Sequence, residues 1–207
     1  MKLLKILSLA ALAFLLTQCY PEGPMAADEL DLVYSNYDPE YNFATKMSFA
    51  LPDKIVKITD GLLTGDDPTY VKEPYASDML RLISENMKIY GWQQVDIADD
   101  PDVLLAPAAV EVTTTYYYDY WGYYGWWYGG YYPPGGWYYP YPASSSYTTG
   151  SLIVTMVDPN DVSVDDKQRV VWTFIINGIM TGQTSSFNSR VTKGINQAFT
   201  QSQYLKK

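Results

Sequence analysis

The stretch Arg169-Val170-Val171-Trp172-Thr173-Phe174-Ile175-Ile176 decides how the rest of the chain is read. Val170, Trp172, Phe174 and Ile176 share one side of an extended chain, the period of two that marks a strand with a face on a core. The strand is expected over 169–180. Just upstream, Ser151-Leu152-Ile153-Val154-Thr155-Met156-Val157 makes a second strand. The polar link from Asp158-Pro159-Asn160-Asp161 through Asp166 joins the two as a pair.

Two helices flank this pair. Pro74 suits a first helical turn, and Ala76, Met79, Leu80, Ile83, Met87 and Tyr90 recur at three- and four-residue spacing before Gly91. That stripe needs a sheet to lie on. A polar link carrying Ser185 and Ser186 precedes a closing helix with the stripe Val191, Ile195, Ala198 and Phe199. Gly194 within it costs about 1 kcal/mol relative to Ala, so this helix leans on its packing.

Further strands are expected over 29–35, with Leu30, Leu32 and Tyr34 on one face, and less regularly over 43–51. Gly61, Gly65, Asp66, Asp67 and Pro68 mark a loop. Over 103–115, Val110 and Val112 face opposite to Glu111 and Thr113, and Pro107 demotes part of this strand to an edge or a bulge. Strands, helix, strands, helix is the order of an α+β two-layer sandwich. The expected form is an antiparallel or mixed sheet of about five strands, both helices on one face, and a long aromatic hairpin loop.

That loop spans 116–147, where 32 residues hold 13 Tyr, 4 Trp, 6 Gly, 4 Pro and one charge, Asp119. The glycines raise the cost of ordering it, and its hydroxyls and indoles need partners once buried. The tract is therefore expected to be mobile, or ordered only against another surface. Three readings stand side by side. It is a low-complexity loop packed loosely on its own domain, an interfacial segment in the head-group zone of a membrane, or a platform for glycan, peptidoglycan or a protein partner. On the last two readings the contacts fall to Tyr116, Tyr117, Tyr120, Trp121, Trp126, Trp127 and Trp137.

The N-terminal segment carries an address. Lys2 and Lys5 precede an apolar run over 3–16, too short to span a bilayer, and Leu16-Thr17-Gln18-Cys19 closes it with the chain's single cysteine. This reads as a bacterial lipoprotein signal over 1–18 with Cys19 as the lipidation site. Gln18 departs from the Gly, Ala or Ser usual at that place, and a plain cleaved signal with an incidental cysteine is the alternative. Residues 19–28 then form a Pro/Gly tether and 29–207 one α+β domain. Acyl chains at Cys19 would hold the protein on the outer membrane, facing the periplasm, since the single acid in the first part of the tether, Tyr20-Pro21-Glu22-Gly23-Pro24-Met25, argues weakly against surface export.

Composition narrows the function. The formal charge of −9 becomes −11 once Lys2 and Lys5 are removed, a surface repelled by nucleic acid and anionic lipid head groups. There is no histidine and, after lipidation, no thiol, so the commonest bases, nucleophiles and soft metal ligands are missing. Paired acids at Asp66-Asp67, Asp99-Asp100 and Asp165-Asp166 sit in turns rather than at strand ends facing a pocket. Asp158, Asn160, Asp161, Asp165 and Asp166 begin like a calcium loop, but Val162 and Ser163 occupy positions that need an oxygen ligand and glycine, so a solvated turn is expected. No catalysis, metal or cofactor is expected.

Several segments together resemble a bacterial lipoprotein family, the domain of unknown function 4136. They are Tyr41-Asn42-Phe43 with Lys46, Phe49 and Pro52; Tyr90-Gly91-Trp92; Asp102-Val103-Leu104-Leu105; Gly150-Ser151-Leu152 through Asp158; and Val170-Val171-Trp172 with the closing helix. The resemblance covers about residues 30–204 and lies in the order of short motifs. Tyr90 stands where the family tends to carry Lys, and Tyr204-Leu205 where it tends to carry Phe-Pro. It implies an exported, anchored α+β domain with no assigned reaction, in some relatives with similar aromatic insertions.

Overall fold

The strand read from 169–176 is β9, Gln168–Ile176, and eight of its nine residues, all but Arg169, are buried. It pairs antiparallel with β8, Ser151–Val162, on one side and with β1, Val33–Tyr37, on the other. The computed structural model describes residues 33–59, 68–111, 124, 127, 136–141, 150–162, 165–179 and 184–207. Cys19, the segments 1–18 and 19–28, and Leu30 and Leu32 lie outside them.

The remaining strands are β2 (Ser48–Ala50), β3 (Val56–Ile58), β4 (Thr69–Tyr70), β5 (Gln93–Gln94), β6 (Val103–Val110) and β7 (Trp137–Tyr138). The order across the sheet is β1-β9-β8-β6-β2-β5, with β3 also beside β6, β4 on β3, and β7 beside β9. The β2, β3 and β5 pairings within it are parallel except for β3 with β4, so the sheet is mixed. The described residues give it nine strands, not about five. The four unforeseen ones, β3, β4, β5 and β7, are two or three residues long, too short to carry a period.

The helices, α1 (Tyr75–Ile89) and α2 (Thr184–Gln201), fall where the apolar stripes put them, but α2 starts earlier than expected and takes Ser185 and Ser186 from the link into its first turn. Their buried residues, Met79, Ile83 and Met87 from α1 and Val191, Ile195 and Phe199 from α2, join one core with Leu105, Leu152, Val154, Trp172 and Phe174. Both helices cover this one face. Gly194 has its reason here: a Cβ on it would stand 3.0 Å from two carbons of Ile176, so glycine lets α2 approach β9.

The other face of the sheet is equally dry. Leu104, Ala106, Ala108, Val110, Ile153, Val157, Val170 and Ile175 form a second core with Tyr124, Trp137 and Tyr141. A sheet face of this kind must be covered, and rings from the aromatic tract cover it. A free hairpin loop is not what the described part of the tract shows, although β6 and β8 do pair antiparallel.

Two other expectations change. Val33 and Tyr37 pack towards the helix-side core while Tyr34 is 37 % exposed, so the inward face of β1 is the one opposite to that expected. Pro107 does not push β6 to an edge, for β6 runs between β8 and β2 with every residue buried. In an extended residue the N–H and C=O point to the same side. The Pro107 carbonyl accepts from the Tyr124 hydroxyl, which also accepts from the Val56 N–H at 3.3 Å. The missing N–H of Pro107 therefore faces the gap between β2 and β3, and its pairing with β8 loses nothing.

Candidate functional site

At the end of the sheet where β8 leaves β9, two acids are buried in contact with the chain's own cations. Asp158 closes the apolar run of β8 at 2 % exposure, and its carboxylate meets Lys46 Nζ at 2.6 Å and the Tyr41 hydroxyl at 2.8 Å. Lys46 also stands 5.8 Å from the centre of the Tyr41 ring. Burial, with Asp158 second, pushes the Tyr41 hydroxyl far above its ordinary range, so it stays protonated and donates. Asp38, at 1 % exposure, pairs with Arg169, which also reaches Asp161 Oδ2 at 3.4 Å and Glu40 at 3.6 Å. Burial works against the Arg169 charge, but Asp38 and Asp161 outweigh it and raise its pKa.

The chain between these acids is pinned as well. Gln168 is buried and its amide donates to the carbonyls of Asp158 and Asp161, while the Asn160 N–H donates to Asp158 Oδ1 at 2.9 Å. The expected solvated turn is thus half interior: Asp158 and Asp161 are spent on Lys46 and Arg169. Sequence reasoning passed over this hub. Its signal was a charge set against an apolar run, Asp158 after Leu152–Val157 and Arg169 before Val170–Ile176, since such residues are seldom inside unless paired.

A second polar point lies at the start of β2. Asp102 accepts from the Met47 and Ser48 N–H groups at 2.8 and 2.9 Å and from the Ser48 hydroxyl at 2.9 Å. Burial works to raise its pKa, but these three bonds prevail and hold it below the usual carboxylate range. A carboxylate whose folded pKa is depressed adds stability above its unfolded value, about 3.9, and loses it as pH falls through the folded value. Urea midpoints of the unsubstituted chain and Asp102→Asn should differ most above about pH 4 and converge below it. A constant gap down to strongly acid pH would contradict this.

The segment Tyr90-Gly91-Trp92 is a clasp. Gly91 has φ +92°, and a Cβ there would meet the Lys207 side chain at 2.8 Å. Trp92 Nε1 donates to the Leu205 carbonyl at 2.8 Å, and the Tyr90 hydroxyl to that of Phe199 at 2.6 Å. Lys207 Nζ lies 3.6 Å from the Trp92 ring centre and donates to the Phe43 carbonyl, and burial pushes its pKa down to about 8. Trp172 Nε1 adds a 3.0 Å bond to the Ser202 hydroxyl. These motifs fasten residues 202–207 to the helix-side core.

Of the aromatic residues expected to make contacts, Trp137 is buried and Trp127 is partly buried against the second core. Tyr116, Tyr117, Tyr120, Trp121 and Trp126 lie outside the described residues, as does Cys19. Tyr141, which the sequence did not single out, is buried with its hydroxyl 3.0 Å from that of Thr173. Among the described residues no cluster of three or more acids, histidines or cysteines could hold a metal ion, and no helix is long and apolar enough to cross a membrane.

The profile of the domain of unknown function DUF4136 matches residues 33–202. A crystal structure of a DUF4136 family protein from Bacteroides thetaiotaomicron is 34 % identical, covers 85 % of this chain and 97 % of its own, and superposes with a TM-score of 0.67. A PelC dodecamer from Paraburkholderia phytofirmans, 10 % identical, covers 86 % of this chain and 98 % of its own at a TM-score of 0.38. A PDZ domain protein from Parabacteroides distasonis, 13 % identical, covers 86 % of this chain and 37 % of its own at 0.40. Neither of the last two bears on what this chain does. No curated protein matches it. Tyr41, Lys46, Asp102, Asp158, Trp92 and Trp172 fall inside or beside the motifs that carried the resemblance, and with the matched span they make this chain a member of the DUF4136 family.

Proposed function

We propose that the protein is an outer-membrane-anchored lipoprotein of structural or binding role, facing the periplasm and without catalytic activity. The observation that carries this is Cys19, the single cysteine, closing the apolar run 3–16 behind Lys2 and Lys5. Two supports come from the fold. The buried acids Asp38 and Asp158 are neutralised by Arg169 and Lys46, which leaves them poorly suited to proton transfer with a substrate. The described rings of the tract are largely spent on the second core.

Labelled palmitate tests the anchor. The label should enter the exported chain and be lost in Cys19→Ala, and a water-soluble unsubstituted protein with a free thiol would overturn the reading. A second reading, a module that binds glycan or an envelope protein through the tract, draws support from Tyr138, whose ring is 46 % exposed beside the buried Trp137.

A further inference from the structure

An open sheet has edges, and an edge strand shows unused N–H and C=O groups to any strand that comes past. The marginal strands β4, β5 and β7 are two residues long, too short to template another chain. β1 is different. It runs for five residues, it pairs only with β9 among the described residues, and Val33-Tyr34-Ser35-Asn36-Tyr37 holds neither a charge nor a proline to discourage a newcomer.

Its register tells which groups are open. The Asp38 N–H donates to the Val171 carbonyl at 2.9 Å, and in an antiparallel pair residues bonded to the neighbour alternate with residues that face away. Counting back from Asp38, Asn36 and Tyr34 face β9, so Val33, Ser35 and Tyr37 turn their backbone groups outward. Two side-chain amides occupy the ends of this row. Asn36 Oδ1 accepts from the Tyr37 N–H at 2.9 Å, while Asn36 Nδ2 donates to the Tyr34 hydroxyl at 3.0 Å. Gln201, the last residue of α2, donates from Nε2 to the Val33 carbonyl at 3.3 Å, and its Oε1 accepts from the Ser35 hydroxyl at 3.3 Å. Between them the N–H and C=O of Ser35 face outward with no partner among the described residues.

We propose that β1 is a strand-accepting edge for β1 of a second copy of this chain, and that Asn36 and Gln201 hold it shut. The edge is self-complementary. An antiparallel pair centred on Ser35 sets that residue against its own copy and Val33 against Tyr37 of the other chain, so each outward N–H and C=O meets an outward group of the opposite kind. The same pairing puts a β-branched side chain opposite an aromatic ring, a favourable cross-strand match. No charge on the strand opposes the approach of its twin, although the chain as a whole is acidic. The amides compete for the backbone groups that pairing needs, since a second strand must first break the bonds at Tyr37 and Val33.

Sedimentation equilibrium of the full exported chain bearing Cys19→Ala tests this. It should remain a monomer at concentrations where the further substitutions Asn36→Ala and Gln201→Ala together give mostly dimer, a difference of about tenfold in dissociation constant. Adding Ser35→Lys to that variant sets like charges opposite one another at the centre of the pair and should restore the monomer. Hydrogen exchange reads the same edge independently: the Ser35 amide should exchange fast in the monomer and become protected in the dimer. A monomeric Asn36→Ala, Gln201→Ala chain, a dimer that Ser35→Lys does not disperse, a dimer whose Ser35 amide stays unprotected, or equally tight dimers with and without the two amides would each overturn the assignment.

Discussion

A chain lacking residues 116–147 is expected to fail to fold as a soluble domain. Strand β6 alternates and is buried on both sides: Val103, Leu105 and Ala109 face the helices, and Leu104, Ala106, Ala108 and Val110 face away. Among the described residues no helix covers that second face. Its described cover is Tyr124, Trp137 and Tyr141, with Trp127 and Tyr139 at the margin. At about 2 kcal/mol for each buried ring, the first three contribute about 6 kcal/mol, as much as the whole net stability of many domains. Deletion also uncovers Ile153, Val157, Val170 and Ile175, an apolar patch that invites association. The deleted chain should bind a hydrophobic dye and show no cooperative melt, whereas Tyr124→Phe, which strands the Pro107 carbonyl and the Val56 N–H, should fold and lose about 1–3 kcal/mol. A deletion variant melting within about 2 °C of the unsubstituted chain would show that the rings carry no such weight.

Loss of binding after removing 116–147 would report unfolding, not a lost contact. Single changes at exposed rings such as Tyr138 leave the second core intact and separate the two effects.

The parts of the fold legible in the sequence are those with a long period. The α1 stripe from Ala76 to Met87 and the set Trp172, Phe174 and Ile176 each hold enough residues on one face for the pattern to stand out, whereas Val170, expected with that set, lies in the second core because the β8–β9 register shifts between Met156 and Val157. β3, β4, β5 and β7 have no such length; they exist because a neighbouring strand supplies partners for their backbone groups. The second core was hidden for a different reason. Composition alone weighs the tract's aromatic residues against the entropy of its glycines, but the sheet face that rewards burying Tyr124, Trp137 and Tyr141 is assembled from β3, β6, β8 and β9, far apart in sequence. Pro107 misled in the same way, because its exemption from edge status depends on a hydroxyl 17 residues along the chain.

Replacing Asp158 by Ala is the second change expected to act strongly, and its partners predict how the loss can be repaired. Removing the carboxylate strands Lys46 and the Tyr41 hydroxyl beside an apolar wall. Taking one member from a buried ion pair costs about 3–5 kcal/mol, and because Lys46 keeps 24 % of its side-chain surface exposed and can turn outward, the lower end applies. If the cost comes from the stranded cation, removing it should recover stability. Lys46→Met in the Asp158→Ala background should then be more stable than Asp158→Ala alone, although Lys46→Met by itself destabilises by leaving Asp158 buried without its cation. Urea unfolding of the four chains closes the cycle, with an expected coupling of about 1–3 kcal/mol. Additivity within about 0.5 kcal/mol would mean that the pair does not act as a unit. Coupling of the expected sign would instead identify the hub as a structural lock binding the second half of β8, where its register with β9 shifts, to the segment before β2.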